Sequence, residues 1–183
     1  MEHTMPRPPT SHFIKKKFDV NESNKTVTFK KSEQVSPPLA SQNSNAVFLG
    51  LPGSPYVKIA KDTAERLNME FIHIQSPEAL RNAASTTGLS LAVDATIGLH
   101  DETVRETLFH CGHVFYIMAD VSTLLAGHDE TKQSAHERDA LREHLAKILL
   151  DLEPFCLQTS RFILRPDAPY GEIAMDVDEK MRL

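Results

Sequence analysis

The segment that decides the fold of this chain is Asn45-Ala-Val-Phe-Leu-Gly-Leu-Pro-Gly-Ser-Pro-Tyr-Val-Lys-Ile-Ala-Lys-Asp-Thr-Ala-Glu-Arg-Leu67. Residues 46–49 are an apolar run of the kind that forms a buried strand in a parallel sheet. A turn rich in Gly, Pro and Ser follows at residues 50–55. Apolar residues then recur at helical spacing over residues 57–67. The segment therefore predicts a strand, a tight turn and a helix.

The turn resembles a phosphate-binding loop that lacks its chemical residues. In G-x-x-x-x-G-K-[ST], backbone N–H groups surround the phosphates, the Lys neutralises them and the hydroxyl holds Mg²⁺. Gly50 and Gly53 stand like the glycines of a G-x-x-G-x-G-K-[ST] loop. Pro55 stands at the last Gly and offers no N–H, Tyr56 replaces the Lys, and Val57 replaces the Ser or Thr. The alternative interpretation is that both glycines are ordinary turn residues of an α/β fold.

Composition bounds the class of protein. A chain of 183 residues with 40% hydrophobic and 25% charged residues is most simply one soluble domain with a short appendage. The net charge of -5 argues against a nucleic-acid partner. Two isolated cysteines, Cys111 and Cys156, favour a reducing compartment. The sequence contains neither an apolar run of membrane-spanning length nor a signal core, so we expect a cytoplasmic protein without a membrane partner.

The chain divides into an N-terminal part, residues 1–44, and a compact domain, residues 45–183. Residues 1–44 read as a flexible N-terminus, a β-hairpin at residues 13–31 and a polar linker. Residues 1–31 hold seven Lys/Arg against three Asp/Glu, which makes the hairpin basic. It is either a sheet extension with solvated lysines or a docking element for an acidic protein partner.

The compact domain alternates short apolar runs with amphipathic segments, which predicts an α/β fold with a parallel sheet. Predicted strands are residues 46–49, 70–74, 89–93 and 114–117, with late strands at 161–164 and 172–177. Predicted helices are residues 57–67, 77–85, 101–110 and 135–152.

Several segments resemble motifs of the shikimate kinase family of P-loop kinases and follow the same order along the chain. The resemblance covers residues 45–164. Met69-Glu-Phe-Ile-His-Ile-Gln75 stands at the F-x-D-x-D strand of the family, with His73 and Gln75 at the two Asp positions. Leu91-Ala-Val-Asp-Ala-Thr-Ile97 falls where the family has a strand that ends in G-G-G.

The later segments continue this resemblance. Gly112-His-Val-Phe-Tyr-Ile-Met-Ala119 is similar to the G-x-V-V-Y-L strand of the family, which belongs to the scaffold. Residues 127–135, at the lid, contain no Arg. Leu152-Glu-Pro-Phe-Cys156 stands at R-x-P-x-Y, with Leu152 at the substrate-binding Arg. The apolar framework is thus kept and the polar chemistry is absent in each segment.

The resemblance implies a three-layer P-loop kinase-like fold. With its chemical residues absent, the chain would be a degenerate shikimate-kinase-like protein, connected with aromatic amino acid biosynthesis, that has no kinase activity. It would act through protein or metabolite binding, with no cofactor and no catalytic residue. Gly50, Gly53, Ser54 and Lys58 would be a vestigial nucleotide site. The alternative is an active kinase of shikimate or a related small molecule that uses Mg-ATP, with Lys58 or Lys61 for charge and Asp94 near the substrate. A third hypothesis is an anion site at the helix N-terminus after Ser54.

The histidines do not predict a metal site. His110-Cys111-Gly112-His113 enters a predicted strand, whose side chains point alternately to opposite faces. His136 and His144 lie two turns apart on one predicted helix, too far to share an ion.

Overall fold

The fold is built on a five-stranded sheet. The computed structural model describes residues 44–128 and 135–183. The strands are β1 (Asn45–Gly50), β2 (Glu70–Ile74), β3 (Leu89–Asp94), β4 (Gly112–Ile117) and β5 (Phe162–Leu164). All pair in parallel, in the order β2-β3-β1-β4-β5. The predicted parallel sheet is confirmed, and the strands predicted at residues 46–49, 70–74, 89–93, 114–117 and 161–164 are present.

Helices cover both faces of this sheet. On one face α1 (Tyr56–Leu67) and α6 (Tyr170–Lys180) pack around Phe48. On the other face lie α2 (Pro77–Ala84), α3 (Glu102–Cys111), α4 (Val121–Ala126) and α5 (Ala135–Thr159). A 3₁₀ helix, Ala95–Ile97, follows β3. The predicted three-layer architecture is confirmed.

The central strand β1 explains the apolar run that begins the decisive segment. All six of its residues are buried. Val47 and Leu49 belong to the core on the α3 and α5 face, whereas Ala46 and Phe48 belong to the core on the α1 face. A strand buried on both faces needs apolar residues at every position.

Asn45 ties the start of β1 to two neighbouring segments. Its Nδ2 donates to the carbonyls of Thr86 and Cys111 at 2.7 and 2.9 Å, and its Oδ1 accepts from the N–H of Leu89 at 2.9 Å. The residue is 1% exposed, so these bonds satisfy an amide that is shielded from water.

Two sequence predictions require correction. Residues 172–177, predicted as a strand, lie in helix α6. The apolar residues Ile173, Val177 and Met181 recur every four positions and are buried on one face, which is helical spacing. The helix predicted at residues 135–152 continues to Thr159 with Pro154 inside it. Pro154 is exposed, so water can solvate the backbone carbonyl that the proline leaves without an N–H partner.

The predicted hairpin and most of the linker lie outside the described residues, and the domain boundary stays a prediction. None of the helices within residues 44–128 and 135–183 combines the length and the apolar character needed to cross a bilayer.

Candidate functional site

The candidate site lies at the carboxyl edge of the sheet, where β1 ends at Gly50 and the chain turns into α1. The N–H of Ser54 donates to the Leu51 carbonyl at 2.9 Å and closes the turn. Pro55 precedes the first helical residue and gives no side-chain cap. Open parallel α/β sheets bind ligands at this edge, so the position suits a ligand site.

Tyr56, the first residue of α1, fills the inner side of this turn. Its side chain is 5% exposed and belongs to the core that contains Phe48 and Ile59. A methyl group added at Gly50 would come within 2.7 Å of the Tyr56 ring atom Cδ1, so the ring lies directly against the Gly50 backbone.

The hydroxyl of Tyr56 remains protonated and reaches a neighbouring strand. It lies 3.3 Å from Nε2 of His73 on β2. Burial raises the pKa of Tyr56 to about 12, and the Asp94 carboxylate adds to the effect. The ring is therefore uncharged at neutral pH and supplies no cation to the turn.

The outer side of the turn packs against α4. Gly53 has a φ of 93°, in the left-handed region that favours glycine. A methyl group at Gly53 would overlap the carbonyl group of Leu124, and one at Gly127 would overlap the carbonyl group of Gly53. The carbonyl end of α4 thus touches the turn. That end of a helix carries partial negative charge, which disfavours an anion.

Ser54 has a buried hydroxyl with an unusual environment. The residue is 8% exposed. Within the part of the chain that the structure describes, its Oγ has no hydrogen-bond partner. A methyl group at Gly50 would lie 2.5 Å from this oxygen, so the hydroxyl lies over the end of β1.

The two lysines considered as phosphate ligands lie against aromatic rings. The Nζ of Lys58 is 5.9 Å from the centre of the Tyr170 ring on α6. The Nζ of Lys61 is 5.4 Å from the centre of the Phe71 ring on β2. Of the predicted site residues, Gly50, Gly53 and Ser54 come together in the turn, and the ammonium group of Lys58 lies at a cation–π contact instead.

Asp94 lies beside the turn but serves as a local cap. It is the register partner of Gly50 in the pairing of β1 with β3. Its Oδ1 accepts from the N–H of Thr96 at 2.8 Å and from the Thr96 hydroxyl at 2.7 Å. These two bonds hold the carboxylate at the start of the 3₁₀ helix.

After Asp94 the chain enters the apolar core. Ala95 and Leu99 are fully buried, and Ile97 is 8% exposed. Leu152 of α5, 5% exposed, joins the same cluster. These four side chains belong to one hydrophobic core cluster.

The geometry matches solved kinase structures. Shikimate kinase from Bacteroides thetaiotaomicron superposes with a TM-score of 0.65 at 14% identity, over 76% of this chain and 99% of that chain. Shikimate kinase from Acinetobacter baumannii, in complex with shikimate, gives 0.59 at 19% identity, over 76% of this chain and 90% of that chain. The chain has a shikimate-kinase-like P-loop kinase fold. Shikimate kinase from Aquifex aeolicus matches at 0.51 with 12% identity, over 75% and 95% of the two chains.

The match is one of fold. No family model matches the sequence, and no curated protein matches it either.

The histidine and cysteine side chains at residues 110–113 have different packing partners, with His110 against Phe109. Cys111 is buried, and the Asn45 amide lies 3.7 Å from its sulfur. His113 stacks on Phe162, and burial lowers its pKa, with a further contribution from Arg161. Within residues 44–128 and 135–183, no three His, Cys, Asp or Glu side chains form a group that could hold a metal ion.

Sequence reasoning missed α4 and its contact with the turn. The Asp120 carboxylate accepts from the N–H of Thr123 at 2.7 Å, and this N-cap was the available local signal for the helix. The bond to the Thr123 N–H also lowers the pKa of Asp120. No local signal predicts that the end of α4 packs on Gly53.

Proposed function

We propose that this protein is a shikimate-kinase-like protein without kinase activity that acts by binding a protein or a metabolite. The observation that carries the proposal is the buried, uncharged ring of Tyr56 against Gly50. The shikimate kinase family, which the sequence resembles, has a lysine at this position. A ring that belongs to the core cannot neutralise a phosphate.

The residues of the turn do not fit the phosphates of Mg-ATP. Pro55 has no N–H to donate. The carbonyl end of α4 contacts Gly53, and residues 46–57 include no charged side chain. Phosphoryl transfer depends almost entirely on positioning and charge neutralisation, so these features together support a loss of many orders of magnitude in rate.

The substrate side supports the same proposal. Shikimate is a hydroxylated carboxylate, which needs cationic and hydrogen-bonding partners. Leu152 stands where the shikimate kinase family has its substrate-binding Arg. It belongs to the same apolar cluster as Ala95 and Leu99. None of these three side chains can pair with a carboxylate, and burying an unpaired carboxylate among apolar side chains costs several kcal/mol.

Calorimetric titration with Mg-ATP, alone and with shikimate, tests the proposal. We expect no heat at millimolar nucleotide in either titration. An active shikimate kinase measured in the same buffer is the positive control. Binding that tightens in the presence of shikimate, or turnover of Mg-ATP, would overturn the proposal.

The alternative predicted from the sequence is an active kinase with a rearranged site. It requires the ammonium group of Lys58 or Lys61 to leave its aromatic neighbour and reach the turn. It predicts saturable Mg-ATP turnover that Lys58→Ala abolishes. Turnover unchanged in that variant would exclude Lys58 from the reaction.

A second candidate function is a site for an anionic metabolite at the N-terminus of α1. The buried Ser54 hydroxyl without a partner favours it, because an anion there would accept its hydrogen bond. Inorganic phosphate should then raise the melting temperature of the protein, and Ser54→Ala should reduce the shift. No shift with phosphate would exclude this candidate.

A further inference from the structure

The carbonyl end of α4 reaches the candidate turn through the backbone of two glycines. A methyl group at Gly53 would overlap the carbonyl group of Leu124, and a methyl group at Gly127 would overlap the carbonyl group of Gly53. We call this close approach the α4 contact. Gly127 has a φ of -75° and a ψ of -10°, which any residue adopts. The backbone conformation therefore does not require glycine at this position, whereas the approach to Gly53 does.

The α4 contact brings negative partial charge to the turn. Carbonyl oxygens in the last turn of a helix carry this charge, which repels an anion. The Leu124 carbonyl belongs to that turn of α4 and accepts from the N–H of Gly127 at 3.2 Å. Residues 51–57 include no cationic side chain that could offset it. The α4 contact therefore opposes the binding of an anion at the N-terminus of α1.

Two buried polar atoms lie in the residues next to the contacting glycines. Ser54 follows Gly53, and His128 follows Gly127. In the part of the chain that the structure describes, neither the Oγ of Ser54 nor the Nε2 of His128 has a hydrogen-bond partner. A buried polar atom without a partner is costly. Separation of the two segments would let water or a ligand satisfy both atoms, so the α4 contact is poised to open.

We propose that the α4 contact is inhibitory: it closes the turn to anions, and an anion binds when the carbonyl end of α4 moves away. The inference rests on the second candidate function, the anion site at the N-terminus of α1. The fully buried side chain of Leu124 holds α4 on the core, so the closed form predominates. The apparent dissociation constant is then the intrinsic constant divided by the open fraction. A change that loosens the α4 contact should therefore tighten anion binding.

Calorimetric titration of the full chain with inorganic phosphate tests this inhibition. Gly127→Ala adds the methyl group for which the Gly53 carbonyl leaves no room, so the end of α4 must move away from the turn. We expect phosphate to bind roughly fivefold tighter or more, although the variant itself is less stable than the parent. Gly171→Ala is the matched control, because a methyl group there meets no atom within 4 Å. Its affinity for phosphate should equal that of the parent.

A second variant loosens α4 without adding a methyl group at the contact. The Asp120 carboxylate accepts from the N–H of Thr123 at 2.7 Å, and Asp120→Ala removes this N-cap. Phosphate should again bind more tightly. Ser54→Ala combined with Gly127→Ala should abolish the gain, because the Ser54 hydroxyl is a donor that the open turn offers. Circular dichroism confirms that each variant is folded.

The outcomes separate the inhibition from the proposals on which it rests. Equal or weaker phosphate binding in Gly127→Ala and Asp120→Ala would overturn the inhibition and leave the anion site in place. A gain that Ser54→Ala does not remove would also overturn it, since the phosphate would then bind outside the turn. No phosphate binding in any of these proteins would overturn the inhibition together with the anion site. The proposed loss of kinase activity is tested separately, by the titration with Mg-ATP.

Discussion

The hydroxyl of Tyr56 lies 3.3 Å from Nε2 of His73, so the first residue of α1 contacts β2 across the intervening strand β3. The ring of Tyr56 is buried while His73 is exposed. The aromatic body can stay in the core because its polar end has a partner at the surface. This arrangement fills the inner side of the turn that follows β1.

The Tyr56 contact predicts different costs for two substitutions. Tyr56→Phe removes only the hydroxyl and should lower the free energy of unfolding by about 1 kcal/mol. Tyr56→Lys introduces an ammonium group among apolar side chains and should cost about 3 kcal/mol or more. Urea unfolding monitored by circular dichroism gives both values. If Tyr56→Lys were as stable as the parent, the close packing of this side chain in the core would be contradicted.

The contact between Gly53 and Leu124 predicts a hierarchy among glycine substitutions. Gly98 also has a positive φ, 110°, but a methyl group there meets no atom within 4 Å. Gly98→Ala should therefore cost about 1 kcal/mol, the backbone strain alone. Gly53→Ala adds an overlap with backbone that cannot move aside. Its loss in the free energy of unfolding should therefore exceed that of Gly98→Ala by about 2 kcal/mol.

Gly171→Ala is the matched control for this pair. Gly171 lies in α6 with open space around its Cα, so the change should be neutral or slightly stabilising. Thermal unfolding measures the loss of stability in each variant. Equal losses for Gly53→Ala and Gly98→Ala would show that α4 does not pack against the turn in solution.

The three hydrogen bonds of Asn45 predict a large loss in Asn45→Ala. The substitution removes the partner of the Leu89 N–H and of the Cys111 carbonyl, both in buried hydrogen bonds, and of the carbonyl of Thr86, an exposed residue. We expect a loss of about 3 kcal/mol in the free energy of unfolding. Asn82→Ala, at an exposed helix position, should change it by less than about 0.5 kcal/mol. A loss no greater than that of Asn82→Ala would contradict the role of Asn45.

The buried thiol of Cys156 predicts a loss of stability at alkaline pH. Burial, with a smaller effect of Glu153, raises its pKa from 9.0 to about 12. Above pH 9 the unfolded chain loses this proton while the folded chain keeps it, so the stabilising effect is complete below pH 9 and disappears as the pH approaches 12. Urea unfolding across this range should give a falling free energy. Cys156→Ala should have a shallower decline, and an identical pH profile in that variant would contradict the prediction.

Much of the framework is predictable because it is encoded in local patterns. The apolar run of β1 indicates a strand buried on both faces, and the residues after it indicate a turn and a helix. The errors lie where a local pattern is ambiguous. The run of residues 172–177 contains apolar residues that suit a strand or a helix, and the contact of Ile173 and Val177 with the core selects the helix. Pro154 suggests a helix end, although a solvent-facing position allows the helix to continue.

The sequence by itself determined which residues are available at the candidate site: two glycines, a serine, and no lysine or metal ligand in the turn. Only the tertiary structure decided what surrounds them. The ring of Tyr56 lies against Gly50, the end of α4 closes on Gly53, and Lys58 contacts Tyr170. The physical reason is range, because periodicity and turn chemistry act between neighbours in the chain. Close packing joins segments that are far apart in the sequence, and their contacts become fixed only when the sheet and helices assemble.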